Sequence, residues 1–109
     1  MCGYQGWFTT SNDGGNNGWT HYKMRSNADF SATNCVVDFW PDTSDYSKVY
    51  PVPEFENKYS LPSARDYSTV KTHFDWMKQN DIDGIFLQRF GSDIRLPGSN
   101  IYNFKNQVF

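Results

Sequence analysis

The sequence predicts an α/β fold whose parallel strands end at a functional rim, and three features carry that expectation. The stretch Asp83-Gly84-Ile85-Phe86-Leu87-Gln88-Arg89-Phe90 has an apolar middle that turns abruptly polar. It follows directly on an amphipathic helical pattern, which is how a buried parallel strand looks when it runs up from a helix. Two earlier runs, Gly3-Tyr4-Gln5-Gly6-Trp7-Phe8 and Cys35-Val36-Val37-Asp38-Phe39-Trp40, carry the β-branched and aromatic residues of further strands of the same kind.

In chain order, the first strand opens the protein and a loop-like stretch over residues 9–34 follows it. Asn12-Asp13-Gly14-Gly15-Asn16-Asn17-Gly18 is its clearest turn signal. The turn lacks the Lys-Ser/Thr ending of a phosphate loop and the alternating acidic ligands of a calcium loop, so a flexible excursion from a strand end is expected. The cluster Trp19-Thr20-His21-Tyr22 leaves two roles open: facing a ligand beyond the strand ends, or pinning the long loop to the body. The second strand stops at Pro41, after which Asp42 or Ser44 is placed to cap a short helix towards Val49. Residues 50–63 hold Pro51, Pro53 and Pro62 and are expected to be an irregular surface loop.

A helix is predicted over residues 69–80, with Asp66 or Ser68 as N-cap and Asn80 at the C-terminal turn. Val70, His73, Phe74 and Met77 share one face of it. Helix, tight turn and third strand make half of a βαβ unit, and the 35–40 run supplies its other half. Residues 91–100 read as a loop, and residues 101–109 begin a helix-like pattern with Phe104 and Val108 at i, i+4. The sequence stops inside that pattern, which predicts a truncated domain.

At 109 residues the chain is one domain at most. Ten basic and 12 acidic residues are spread without runs for a net charge of −2, so nucleic acid is not an expected partner. No apolar segment approaches the roughly 20 residues that span a bilayer, so no membrane is expected either. Met1 is followed at once by a strand, so no signal peptide is expected. Aromatic residues make up 18% of the chain while mean hydropathy is −0.73, a combination that puts some rings on a surface.

Cys2 and Cys35 each start an expected strand, and parallel neighbours in register would hold their Cα atoms about 5 Å apart. That spacing permits a disulfide; a pair of buried thiols is the alternative. The two His and two Cys match no zinc pattern, and no cofactor or metal is expected. In parallel α/β architectures ligands bind beyond the carboxyl ends of the strands. Gln5, Trp7, Asp38, Trp40, Asp42, Gln88 and Arg89 would converge there. Carboxylates, amides, a guanidinium and indoles are groups that hold sugars, by paired hydrogen bonds to hydroxyls and flat rings against a pyranose face. Asp38 has a second reading, as a buried ion pair with Arg89 that locks the rim.

These residues match a known pattern. Gly3-Tyr4-Gln5-Gly6-Trp7-Phe8, Asp13-Gly14, Gly18-Trp19 with His21, Val37-Asp38-Phe39-Trp40-Pro41-Asp42, Tyr46, Ser68-Thr69, His73-Phe74, Trp76-Met77 and residues 84–90 resemble, in order, the N-terminal part of glycoside hydrolase family 71/99-like proteins. These are bacterial and fungal proteins related to endo-α-mannosidases, some of them labelled xylosidase/arabinosidase. The resemblance implies a (β/α)8 TIM-type barrel of which this chain supplies the first three βα units, truncated. It also implies a carbohydrate partner, secreted or periplasmic full-length relatives, and a rim site of Trp7, Trp19, His21, Asp38, Trp40, Asp42, Gln88 and Arg89.

Such a barrel needs roughly 250 residues, and the carboxylates expected to act as acid and base in the relatives lie on later strands with no match here. Glycoside hydrolysis usually needs two carboxyl groups about 5–9.5 Å apart. Asp38 and Asp42 are the candidates by spacing, with binding or structural roles the better expectation. The chain is thus expected to be the non-catalytic N-terminal segment of a glycosidase. The alternatives are a carbohydrate-binding module with exposed tryptophans, or a non-functional truncated remnant.

Overall fold

The computed structural model describes residues 1–89, so the loop expected over 91–100 and the helical pattern over 101–109 lie outside the described residues. Strand β1 (Cys2–Tyr4) pairs in parallel with strand β4 (Ile85–Leu87), with Cys2 opposite Ile85 and Tyr4 opposite Leu87. The ladder runs one step further at each end, through Cys2 N–H to Gly84 O at 3.1 Å and Gln88 N–H to Tyr4 O at 3.1 Å. Between them in sequence come a hairpin of two-residue strands, β2 (Tyr50–Pro51) and β3 (Ser60–Leu61), and helix α1 (Tyr67–Gln79).

Helix α1 covers one face of the parallel pair with the stripe the sequence predicts. Tyr4 meets Phe74 edge-on at 5.6 Å and hydrogen-bonds His73, while Cys2 Sγ lies 3.7 Å from Met77 Sδ. The other face carries Gly3 and Phe86, both exposed. Asp66 is the N-cap residue by position, but its carboxylate makes no capping bond and instead receives Lys48 Nζ at 2.5 Å and Tyr50 Oη at 2.8 Å. At the other end the left-handed residue is Asp81 (φ 56°), one place beyond Asn80. Ile82 N–H donates to Met77 O and Asp81 N–H to Lys78 O, the paired bonds of a Schellman ending that swings the chain directly into β4.

Five expectations are corrected. The 35–40 run is not a strand, although it has the composition of one. Among the described residues the parallel sheet holds only β1 and β4, and packing on the core overrides the β-propensity of the 35–40 run. Val36 N–H reaches Tyr22 O at 2.9 Å, Cys35, Val37 and Trp40 pack inward, and Phe39 is 91% exposed. The βαβ unit therefore joins the first and third expected strands, with residues 5–66 as a long excursion before its helix.

The proline-rich stretch 50–63 is not a surface loop but the hairpin that holds the core. Val52 and Leu61 are fully buried and cluster with Trp19, Tyr22 and Phe30, against which Phe8, Trp40 and Phe55 also pack. The prolines are tolerated because Pro51 sits on a two-residue strand and Pro53 opens the 3-10 turn Pro53–Phe55, where an N–H is not needed. No helix forms after Pro41: Asp42 Oδ1 accepts Ser44 N–H at 2.9 Å and closes a turn instead.

The 9–34 loop is tied down rather than flexible. The buried carboxylate of Asp13 accepts Thr10 N–H at 3.0 Å, Gly15 N–H at 2.8 Å and Ser63 Oγ–H at 2.6 Å, which fastens the turn to the segment leaving the hairpin. Gly14 (φ 83°) and Gly18 (φ 60°) supply the left-handed backbone that the turn requires. Cys2 and Cys35 are both free, because the neighbour of Cys2 is Ile85 and Cys35 Sγ instead receives Val37 N–H at 3.3 Å.

Candidate functional site

The carboxyl ends of β1 and β4 bring together residues from three parts of the chain. Gln5 Nε2–H donates to Gln88 Oε1 at 2.7 Å, across 83 positions of sequence. The indole N–H of Trp7 donates to Gln88 O at 3.0 Å, and the Trp7 ring lies 5.1 Å from that of His21. Gln5, Gln88 and His21 are exposed, whereas Trp7 is 8% exposed. The amides and the imidazole thus face outward and Trp7 holds them in place from beneath. His21 adopts a left-handed backbone (φ 64°), uncommon for a residue with a side chain and a feature that collects at functional positions. Arg89, half-buried, continues the same rim.

The remaining expected site residues lie elsewhere. Trp19 is 5% exposed and stacks on Phe30 at 5.0 Å, so of its two roles the cluster's tryptophan takes the one of pinning the loop, as does buried Tyr22. Trp40 stacks flat on Tyr59, with ring centres 4.3 Å apart and planes within 8°. Asp42 is committed to its turn, and the Ser44 hydrogen bonds hold its carboxyl below the ordinary range. Asp38 is exposed and forms no ion pair among the described residues, so the expected lock with Arg89 is absent there. Neither carboxylate hydrogen-bonds the rim cluster.

A second feature was only half legible in the sequence. His73 sits between two phenols, with Tyr4 Oη 2.8 Å from Nδ1 and Tyr46 Oη 2.8 Å from Nε2. Burial pushes the imidazole below its usual range. Burial also pushes Tyr4 up to about 12, with the nearby Tyr46 adding to it, and raises Tyr46 likewise, with Asp45 adding to it. His73 and Tyr46 border a cavity of about 380 Å³ whose walls include Val36, Val37, Phe39 and Pro41. The 36–42 segment thus turns its apolar residues to this cavity, while Asp38, Trp40 and Asp42 are not among its walls. The available signal was a lone histidine on the apolar face of an amphipathic helix.

Among the described residues no cluster of three or more His, Cys, Asp or Glu is arranged to hold a metal ion, and no helix is long and apolar enough to cross a membrane. Comparison with known proteins finds no family model, no curated protein and no solved structure that matches this chain.

Proposed function

We propose that this chain is the N-terminal segment of a glycoside hydrolase of the 71/99-like type, and that it contributes saccharide-binding groups to the rim of a (β/α)8 barrel. The observation that carries the reading is the Gln5–Gln88 pair at the carboxyl ends of adjacent parallel strands, with Trp7 beneath it and His21 beside it. Two hydrogen-bonded amides and a neighbouring imidazole present donors and acceptors of the kind that pair with sugar hydroxyls. The position, beyond parallel strand ends, is where α/β proteins bind ligands.

The role is binding rather than chemistry. Hydrolysis needs two carboxyl groups facing across one bond, whereas Asp42 is committed to its turn and Asp38 makes no hydrogen bond to the rim cluster. The site residues of this reading are Gln5, His21, Gln88 and Arg89, positioned by Trp7.

The test is urea unfolding of the 109-residue chain, followed by circular dichroism, with and without a mannan oligosaccharide. Ligand at a hundred times its Kd adds about 2.7 kcal/mol to a folded binder. A midpoint that rises with oligosaccharide, and no longer does so in the Gln5→Ala/Gln88→Ala double variant, supports the reading. A cooperative transition that no oligosaccharide moves overturns it.

A further inference from the structure

Helix α1 meets β1 through sulfur. The Cys2 thiol donates to Met77 Sδ at 3.7 Å, so a thiol on the strand faces a thioether on the helix packed over it. The main chain of Cys2 is fixed by its N–H bond to Gly84 O and by its place opposite Ile85. Both residues are half-buried, so solvent reaches them. Both also border a cavity of about 360 Å³ whose other walls include Tyr4, His73, Trp76 and Ile82.

Thiolate and thioether are soft donors, the pair of ligand types that select copper(I). Harder divalent ions find few ligands here. Among the described residues no three His, Cys, Asp or Glu gather at one point, and each nitrogen of His73 already lies 2.8 Å from a phenol oxygen. Charge favours the same class of ion. A monovalent ion that replaces the Cys2 thiol proton between the two sulfurs leaves the local charge unchanged, the proton passing to solvent. A divalent ion would add a positive charge that no carboxylate among the cavity walls offsets. The spacing also fits, since two metal–sulfur bonds of about 2.3 Å close a 3.7 Å sulfur gap at roughly 107° and leave room for a third donor such as water.

We infer that Cys2 and Met77 form a site for a soft monovalent metal ion, copper(I) or its analogue silver(I). The Cys2 thiolate is the anionic ligand and the Met77 thioether the second donor. The inference does not rest on the saccharide reading, since none of the rim residues Gln5, His21, Gln88 and Arg89 borders this cavity.

Copper(I), offered anaerobically to the full chain as its bicinchoninate complex, tests the site by competition. The native chain is expected to hold the ion at least about tenfold more tightly than either Cys2→Ser or Met77→Leu. Cys2→Ser keeps the thiol of Cys35 and so measures what a single thiol binds. Met77→Leu conserves side-chain volume, and an unchanged far-ultraviolet circular dichroism spectrum shows that lost binding is not lost folding. Silver(I) added to the native chain is expected to shift the Met77 methyl signal in a 1H–13C NMR spectrum and to leave that of Met24, 65% exposed, in place. This titration needs no variant, so it decides even where a variant unfolds. No copper taken from the competitor, an affinity untouched by Met77→Leu, zinc(II) bound as tightly as copper(I), or a Met77 methyl that silver leaves unmoved each overturns the inference.

Discussion

The indole N–H of Trp7 donates to the main-chain carbonyl of Gln88, 81 positions away, at 3.0 Å. This bond fixes the height of the β4 end against the chain leaving β1, and with it the place of the Gln5–Gln88 amide pair. Trp7→Phe keeps most of the ring and removes the donor. It is expected to cost about 0.5–1.5 kcal/mol in urea unfolding and to weaken oligosaccharide binding through a displaced Gln88. An unchanged midpoint together with unchanged binding would show that Trp7 does not position the rim.

The His73 site makes stability depend on pH in a defined direction. Burial lowers the folded-state pKa of His73 below the ordinary value of 6.5. Between the folded value and 6.5 the unfolded chain therefore binds more protons, and stability rises with pH. The contribution is fully present above 6.5 and is lost as pH falls through the folded value. Protonation would also make both ring nitrogens donors, which removes the phenol-to-imidazole bond. Unfolding midpoints measured from pH 8 to 5 should fall on the acid side in the native chain and fall less steeply in His73→Gln, whereas parallel curves would remove His73 as the cause.

Asp13 is the fastening of the long loop. Asp13→Asn puts an amide N–H where two donors, Thr10 N–H and Ser63 Oγ–H, now meet one carboxylate oxygen. The expected loss is about 1.5–3 kcal/mol, the range for hydrogen bonds to a charged group. Chemical denaturation measures it, and a loss below 0.5 kcal/mol would mean that the turn holds without its carboxylate.

Asp66 and Lys48 separate a structural carboxylate from an exposed cation. Lys48 is 52% exposed at its side chain and Asp66 is 11% exposed, with Tyr50 Oη–H as a second donor to Asp66. Lys48→Ala should cost under about 1 kcal/mol and lose that effect in high salt. Asp66→Ala should cost about 1.5–3 kcal/mol, because the Tyr50 hydroxyl loses its partner as well. Equal losses for the two would contradict this division.

The thiols of Cys2 and Cys35 are free, so reductant should leave the unfolding midpoint unchanged and the unfolded chain should titrate as two thiols without prior reduction. A midpoint lowered by reductant would instead indicate a bridge between them.

What the sequence determined by itself was local. Residues Tyr67–Gln79 form the helix because its apolar stripe, its N-cap position and its C-terminal Asn-Asp lie within one stretch of chain. Residues 84–87 announced a strand because an apolar run following directly on a helix has few other ways to be buried. The rim cluster was legible for the same reason, since Gln5, Trp7 and Gln88 follow the strands that carry them.

Pairing was decided only by the tertiary structure. Strand β1 pairs with β4, more than 80 residues on, while Cys35–Trp40 packs Cys35, Val37 and Trp40 on the core cluster instead of joining that sheet. Whether Pro51, Pro53 and Pro62 marked a surface or a core depended on Val52 and Leu61 finding Trp19, Tyr22 and Phe30 from a distant loop. The fate of Trp19, the position of Asp38 and the cavity beside His73 follow from those pairings. Burial is a property of which segments meet, and the residues that meet here are too far apart in the chain for spacing or propensity to encode the encounter.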